Sequence, residues 1–306
     1  MVAASATSPL TVLGSSSLTA YWRFQRAVVA AQLQAWLPPR GRTLVDISGP
    51  QSSVASQAAA AGYAVLQVMP RLPATAGRPA VEWAAGPQVP RGPVARDVHR
   101  RRVSPGRLVR VVADSANLAF LADGSVDGVI ADDGALSRHL MAEDVAAEIA
   151  RVLRPGGQLL ACVDSLVLGM SILAEQHHWA ELTDLPQAEV VLVPWPDGRI
   201  TRCFGPEQLV DLLTEAGLEV SWIRPRTVLS PSMVDHVLRR DPSAIMRLVR
   251  AELAAGAGDG TGAGNGTGNG GNESFGIYLL AAARKPTARA SMSGAGGPAA
   301  APQAAG

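Results

Sequence analysis

The 306 residues carry 27 Lys and Arg against 26 Asp and Glu, a formal net charge of +1, with 47% hydrophobic residues and 17% charged. That length and apolar content supply the core of one large α/β domain, and the near-neutral balance argues against nucleic-acid binding as the main task. Two cysteines far apart, Cys162 and Cys203, and no histidines at ligand spacing argue against a disulfide framework or a zinc site.

In chain order, residues 1–16 are small and polar and are expected to be disordered. They lack the basic start and long apolar core of a secretory signal. The most apolar later stretch is broken by Asp164 and makes a poor membrane span, so a cytoplasmic location is expected. From Ser17 the spacing of Tyr21, Phe24, Val28, Ala31, Leu33 and Trp36 predicts an amphipathic helix ended by Pro38 and Pro39. A strand, TLVDI, follows it. The turn after Ile47 leads to a helix, SSVASQAAAA, capped by Gly62, and then to the strand AVLQVM. Between residues 70 and 106 the chain is rich in Pro, Gly and Arg and is read as an insertion. Arg96, Arg100, Arg101, Arg102, Arg107 and Arg110 cluster at its end, either a solvated loop or a patch for an anionic partner.

Order returns with LVRVVAD, ending at Asp114, and VDGVIAD, whose near-continuous apolar run suits a central parallel strand. AEDVAAEIARVLRPGG predicts a helix with a sharp stop, feeding the strand GQLLACVD. Residues 166–204 interrupt the alternation and contain a possible hairpin turning at Pro196, Asp197 and Gly198. GPEQLVDLLTEAG repeats the helix pattern, and LEVSWIRPR and FGIYLLAAARK are the remaining strands, separated by a low-complexity glycine tract at 254–273. A disordered tail is expected at 286–306. Alternating strands and helices imply a doubly wound, mostly parallel sheet, whose ligands bind beyond the carboxyl ends of the strands. The turn after Ile47, Met69, Asp114, Ser115, Asp132 and Asp133 fall at those ends.

LVDISGP, DGSVDGVIAD and EIARVLRPGGQLL resemble the class I S-adenosylmethionine-dependent methyltransferases in order and spacing. The resemblance spans 17–285, outside the insertion and the glycine tract. It implies a seven-stranded Rossmann-like sheet with an antiparallel last strand, S-adenosylmethionine as cofactor and an acceptor pocket built in 166–204. By position it implies Asp46 as the acidic residue of the first motif, Asp114 as the partner of the adenine amino group and Ser115 as a backbone donor to the ring. Ser48, Pro50 and Ser52 stand where the family has glycines, leaving only the offset Gly49. Met69 stands where the family has the acidic residue that holds the ribose. Asp132 is a further candidate for lining the cofactor pocket. His139, just before the fourth helix, and His177 and His178 are candidate bases, since histidine titrates in the right range. The resulting expectation is methyl transfer to a small molecule, with no nucleic-acid or membrane partner. An inactive binding or scaffold relative is the alternative. A nicotinamide enzyme fits less well, because the G-x-G-x-x-G fingerprint is absent.

Overall fold

The computed structural model describes residues 15–38, 43–50, 52–70, 106–185, 188–195, 197–256 and 276–287. Residues 71–105, most of the glycine tract and most of the tail lie outside them, so the expectations placed there are not addressed. Helix α1 spans Ser15–Trp36, β1 Thr43–Asp46, α2 Val54–Ala60, β2 Ala64–Met69, β3 Leu108–Val112, β4 Val126–Ala131, α3 Ala142–Val152 and β5 Leu153–Asp164. Helices α4 (Leu166–Glu175) and α5 (Trp179–Asp184), the hairpin β6 (Val191–Pro194) and β7 (Ile200–Cys203), α6 (Pro206–Glu215) and β8 (Glu219–Arg226) follow. Last come α7 (Pro231–Arg240), a short 3₁₀ turn, α8 (Ile245–Gly256) and β9 (Tyr278–Arg284).

Seven strands form one sheet in the order β3-β2-β1-β4-β5-β9-β8. The pairs among β1 to β5 are parallel, and β9 runs antiparallel to both β5 and β8. This is the doubly wound arrangement the sequence predicts, with the last strand inserted beside β5. The order reverses at β1, where the chain steps from β3 across to β4, so β1 and β4 flank the switch point.

Each face of the sheet carries its own core. On one, Val45, Val129, Leu159 and Val163 meet Val145 and Ile149 of α3 and Leu209 and Leu213 of α6. On the other, Leu44, Ile130, Leu160 and Cys162 meet Leu33 and Trp36 of α1 and Val54 and Ala58 of α2. Every residue of β4 is buried, which explains its near-continuous apolar run. Gly128 is the exception in side-chain size. A Cβ there would lie 2.8 Å from Leu44 and 3.2 Å from Trp36, so its absence lets α1 close onto the central strand.

Helices α4, α7 and α8 carried no clear sequence signal. Residues 166–173 are apolar without a stripe, and Ser165 caps a helix there by accepting from the Leu168 N–H. Ser230 with Pro231 starts α7 in the same way. Phe24 and Val28 of α1 bury against Val234, Leu238, Leu248 and Val249 of α7 and α8. The last of these helices runs to Gly256, three residues into the tract read as linker.

Candidate functional site

At the end of β1 the chain turns on a carboxylate. Asp46 is fully buried, its Oδ1 accepting from the Ser48 N–H at 3.0 Å and its Oδ2 from Gln67 Nε2 of β2 at 3.2 Å. Gln67 also donates to the Gly49 carbonyl and accepts from Arg110 of β3, so three adjacent strands share one polar chain. Burial pushes Asp46 up to about 6; the Ser48 hydrogen bonds oppose that and the Asp132 charge adds to it. Ser48 Oγ accepts from the Asp132 N–H at 2.8 Å and so staples the turn to the end of β4. Ser52, the other serine in a glycine position, accepts from the Val54 N–H at the start of α2. Both serines thus serve the turn itself. Gly49 carries the turn at φ +91°, and the one non-neighbouring atom within 4 Å of a Cβ built there is the Arg138 tip at 3.6 Å. An open backbone face of this kind fits close approach by a ligand.

The loop after β4 completes the edge. Arg138 donates to the Ser48 carbonyl at 2.7 Å and to the Asp133 carbonyl. Its neighbour His139 shares a 2.8 Å hydrogen bond between Nε2 and Ser115 Oγ on the loop after β3. Burial holds His139 below its ordinary value; Asp114 opposes the shift and Arg138 reinforces it, leaving the ring neutral at pH 7. Asp114 is exposed and its Oδ1 accepts from the Ala116 N–H within its own turn. That loop is pinned from below, where Glu148 of α3 accepts from the Leu118 N–H and Arg151 donates to the Leu118 and Leu121 carbonyls.

The Asp132 carboxylate is tied to the edge strand β8. Its Oδ1 accepts from Arg226 at the end of β8 at 2.5 Å, and both side chains are almost fully buried. Burial would lower the Arg226 guanidinium, but the Asp132 carboxylate outweighs it and holds the group above its ordinary value. Arg226 Nε donates in turn to Gln32 of α1 at 2.7 Å.

Asp164, at the end of β5, is also buried, and burial pushes it up to about 6; Arg138 opposes the shift, Asp133 adds to it, and a hydrogen bond with Thr201 opposes it. A carboxyl raised in the folded state holds its proton more tightly there. Its contribution to stability is therefore complete below about pH 4 and is lost as pH rises through about 6. Asp164→Asn, which keeps an oxygen for Thr201, is expected to gain stability over wild type between pH 4 and 7, by up to about 3 kcal/mol. Urea unfolding across that range checks this, with Asp46 still supplying its share of the slope. An unchanged slope would mean that Asp164 ionises without cost.

The sequence candidates thus divide. Asp46, Ser48, Gly49 and Asp132 meet at the β1 turn, and Asp114, Ser115 and His139 meet beside it. Met69 ends β2, its carbonyl accepting from the Ala113 N–H. His177 and His178 lie elsewhere. They follow the ten residues of α4, about 15 Å of helix beyond Asp164. There His177 tilts against Trp179 and His178 reaches Glu181 at 3.4 Å. Arg138, Arg226, Gln67 and Asp164 were not singled out by sequence, because their partners lie up to 94 residues away in the chain. Among the described residues no three His, Cys, Asp or Glu side chains group as a metal site, and no helix is long and apolar enough to cross a membrane. A cleft of about 630 Å³ between α1 and α8 is floored in part by Gln158, Ser221 and Arg284, which belong to the opposite end of the strands from Asp46 and Asp132.

The sheet order, the reversed β9 and a site at the β1–β4 switch point define a class I methyltransferase fold. Residues 92–161 match the methyltransferase domain family. Among solved structures, an S-adenosylmethionine dependent methyltransferase assignment from Listeria monocytogenes is 13% identical, with a TM-score of 0.51 over 86% of this chain and 99% of that one. The 1,6-didemethyltoxoflavin-N1-methyltransferase of Burkholderia thailandensis, solved with its substrate and S-adenosylhomocysteine, is 16% identical, with a TM-score of 0.45 over 94% of this chain and 92% of that one. A Mesorhizobium loti S-adenosylmethionine dependent methyltransferase is 15% identical, with a TM-score of 0.46 over 86% of this chain and all of that one. No curated protein matches the chain. The family match covers 70 of the 306 residues, and the solved structures share the fold.

Proposed function

We propose that the chain transfers a methyl group from S-adenosylmethionine to a small-molecule acceptor in the cytoplasm. The observation that carries this is the pair Arg138 and His139. Through them the loop after β4 touches the β1 turn and the β3 loop at once, gathering Gly49, Ser115, Asp114 and Asp132 at the switch point. When bound, S-adenosylmethionine supplies an electrophilic methyl on a sulfonium, and displacement there needs chiefly alignment. In this reading Gly49 gives close approach, and Asp114 and Ser115 face the adenine. His139, neutral at pH 7, takes a proton from an acceptor that must lose one.

The net charge of +1 supports a small acceptor over a polyanionic one. The test is to incubate the protein with methyl-labelled S-adenosylmethionine and separated small-molecule, protein and RNA fractions of a cell extract. Label is expected in the small-molecule fraction; label in the protein or RNA fraction would overturn the acceptor class. Met69 favours a second reading, a binding or scaffold relative without turnover, because a thioether cannot accept from ribose hydroxyls as a carboxylate does. Label in no fraction would favour that reading.

A further inference from the structure

The β1 turn raises a question of supply. A ligand with a carboxylate end, brought over Gly49, needs donors, and the turn offers fewer than a glycine turn would. The Ser48 N–H goes to Asp46 and Pro50 has no N–H, while the Ser48 and Ser52 hydroxyl oxygens accept from the Asp132 and Val54 N–H groups. A glycine turn would have offered several backbone N–H groups at this place.

One cation stands over the turn instead. Arg138 comes from the loop after β4, and its NH2 is 2.7 Å from the Ser48 carbonyl and 3.6 Å from the position of a Gly49 Cβ. A guanidinium has five N–H donors in a planar fork, and the two bonds to the Ser48 and Asp133 carbonyls leave others unused on a side chain 38% exposed. Its one ion pair is the loose 3.8 Å contact with exposed Asp133. Asp133 and Asp164 both act on the Arg138 charge, but its hydrogen bonds go to carbonyls, and a carboxylate can take its free donors without displacing a tight ion pair.

We infer that Arg138 is the group that holds the amino-acid carboxylate of the cofactor, replacing from the β4 loop the donors that the serine and proline turn does not offer. The inference rests on the cofactor reading above. It makes the divergence of the turn and the presence of Arg138 two halves of one device. The turn keeps its shape through Asp46 and its serines, and the charge that recognises the ligand comes from across the switch point. Arg138 is then a ligand-binding residue that sets preference for an intact amino-acid end.

Two ligands separate this role from a structural one. S-adenosylhomocysteine carries the carboxylate; 5′-methylthioadenosine has the same adenosyl sulfide without the amino-acid end. By calorimetry, Arg138→Ala is expected to weaken S-adenosylhomocysteine binding about tenfold or more, while 5′-methylthioadenosine binds within about twofold of wild type. Arg138→Lys keeps the charge and loses the fork, and is expected to fall between. Thermal melting confirms that both variants fold. Unchanged or tighter S-adenosylhomocysteine binding by Arg138→Ala would overturn the inference, as would an equal loss for both ligands, which marks a role in loop structure only. Failure of the cofactor reading itself looks different: neither ligand binds wild type, and both conclusions go together.

Discussion

Replacing Arg226 by methionine is expected to destabilise the protein by about 3–5 kcal/mol. Arg226 and Asp132 are each about 5% exposed, so neither can exchange its partner for water. Removing the guanidinium leaves a buried carboxylate unpaired and takes away the donor to Gln32, loosening α1 from the strand ends. The Asp132 backbone N–H donates to Ser48 Oγ, so the disturbance reaches the β1 turn directly. Changing Asp132 to leucine at the same time removes the stranded charge. The double variant is expected to recover most of the loss, since apolar replacement of a whole buried pair is often neutral. Urea unfolding of the two single variants and the double measures this. A loss below about 1 kcal/mol for Arg226→Met would show that the pair behaves as an exposed one.

Gly49→Val carries the largest expected effect on ligand binding. At φ +91° a β-branched residue is strained, at about 1–3 kcal/mol. Its Cβ stands 3.6 Å from the Arg138 guanidinium, so the two methyls fill the space over the turn and crowd that tip. S-adenosylhomocysteine affinity is expected to fall by more than about tenfold, since both the backbone approach and the Arg138 fork are disturbed. Calorimetry on the folded variant reads the change. Wild-type affinity would mean that the ligand does not come near the turn.

The fold was largely legible in sequence because its signals are local. The buried run of β4, the amphipathic helix α3 and the Pro206-led α6 each announce themselves within about a dozen residues. Helix α4 was not legible, because an apolar segment without a stripe looks the same whether it continues a strand or starts a helix. For the site, sequence order placed the strand-end residues Asp46, Asp114 and Asp132 at one edge. It did not show how each is used. The Asp46 oxygens turn inward to Ser48 and Gln67, and Asp132 is paired across two strands with Arg226, because partner choice depends on tertiary contacts with no local pattern. Ser48 stands at a glycine position, and its hydroxyl staples the turn to β4, a contact no local pattern announces. Arg138 lay unremarked beside His139, since a lone arginine in a loop ordinarily means a solvated surface. Only the carbonyls it bridges give it a role.

The measurement that bears most directly on the whole account is a calorimetric titration of the wild-type protein with S-adenosylhomocysteine, after thermal melting has shown it to be folded. Saturable one-to-one binding in the micromolar range is the expected result, and it would make the serine and proline turn, with Arg138 over it, a working cofactor site. The absence of heat at millimolar ligand would contradict the account and leave the methyltransferase fold as a statement of ancestry alone.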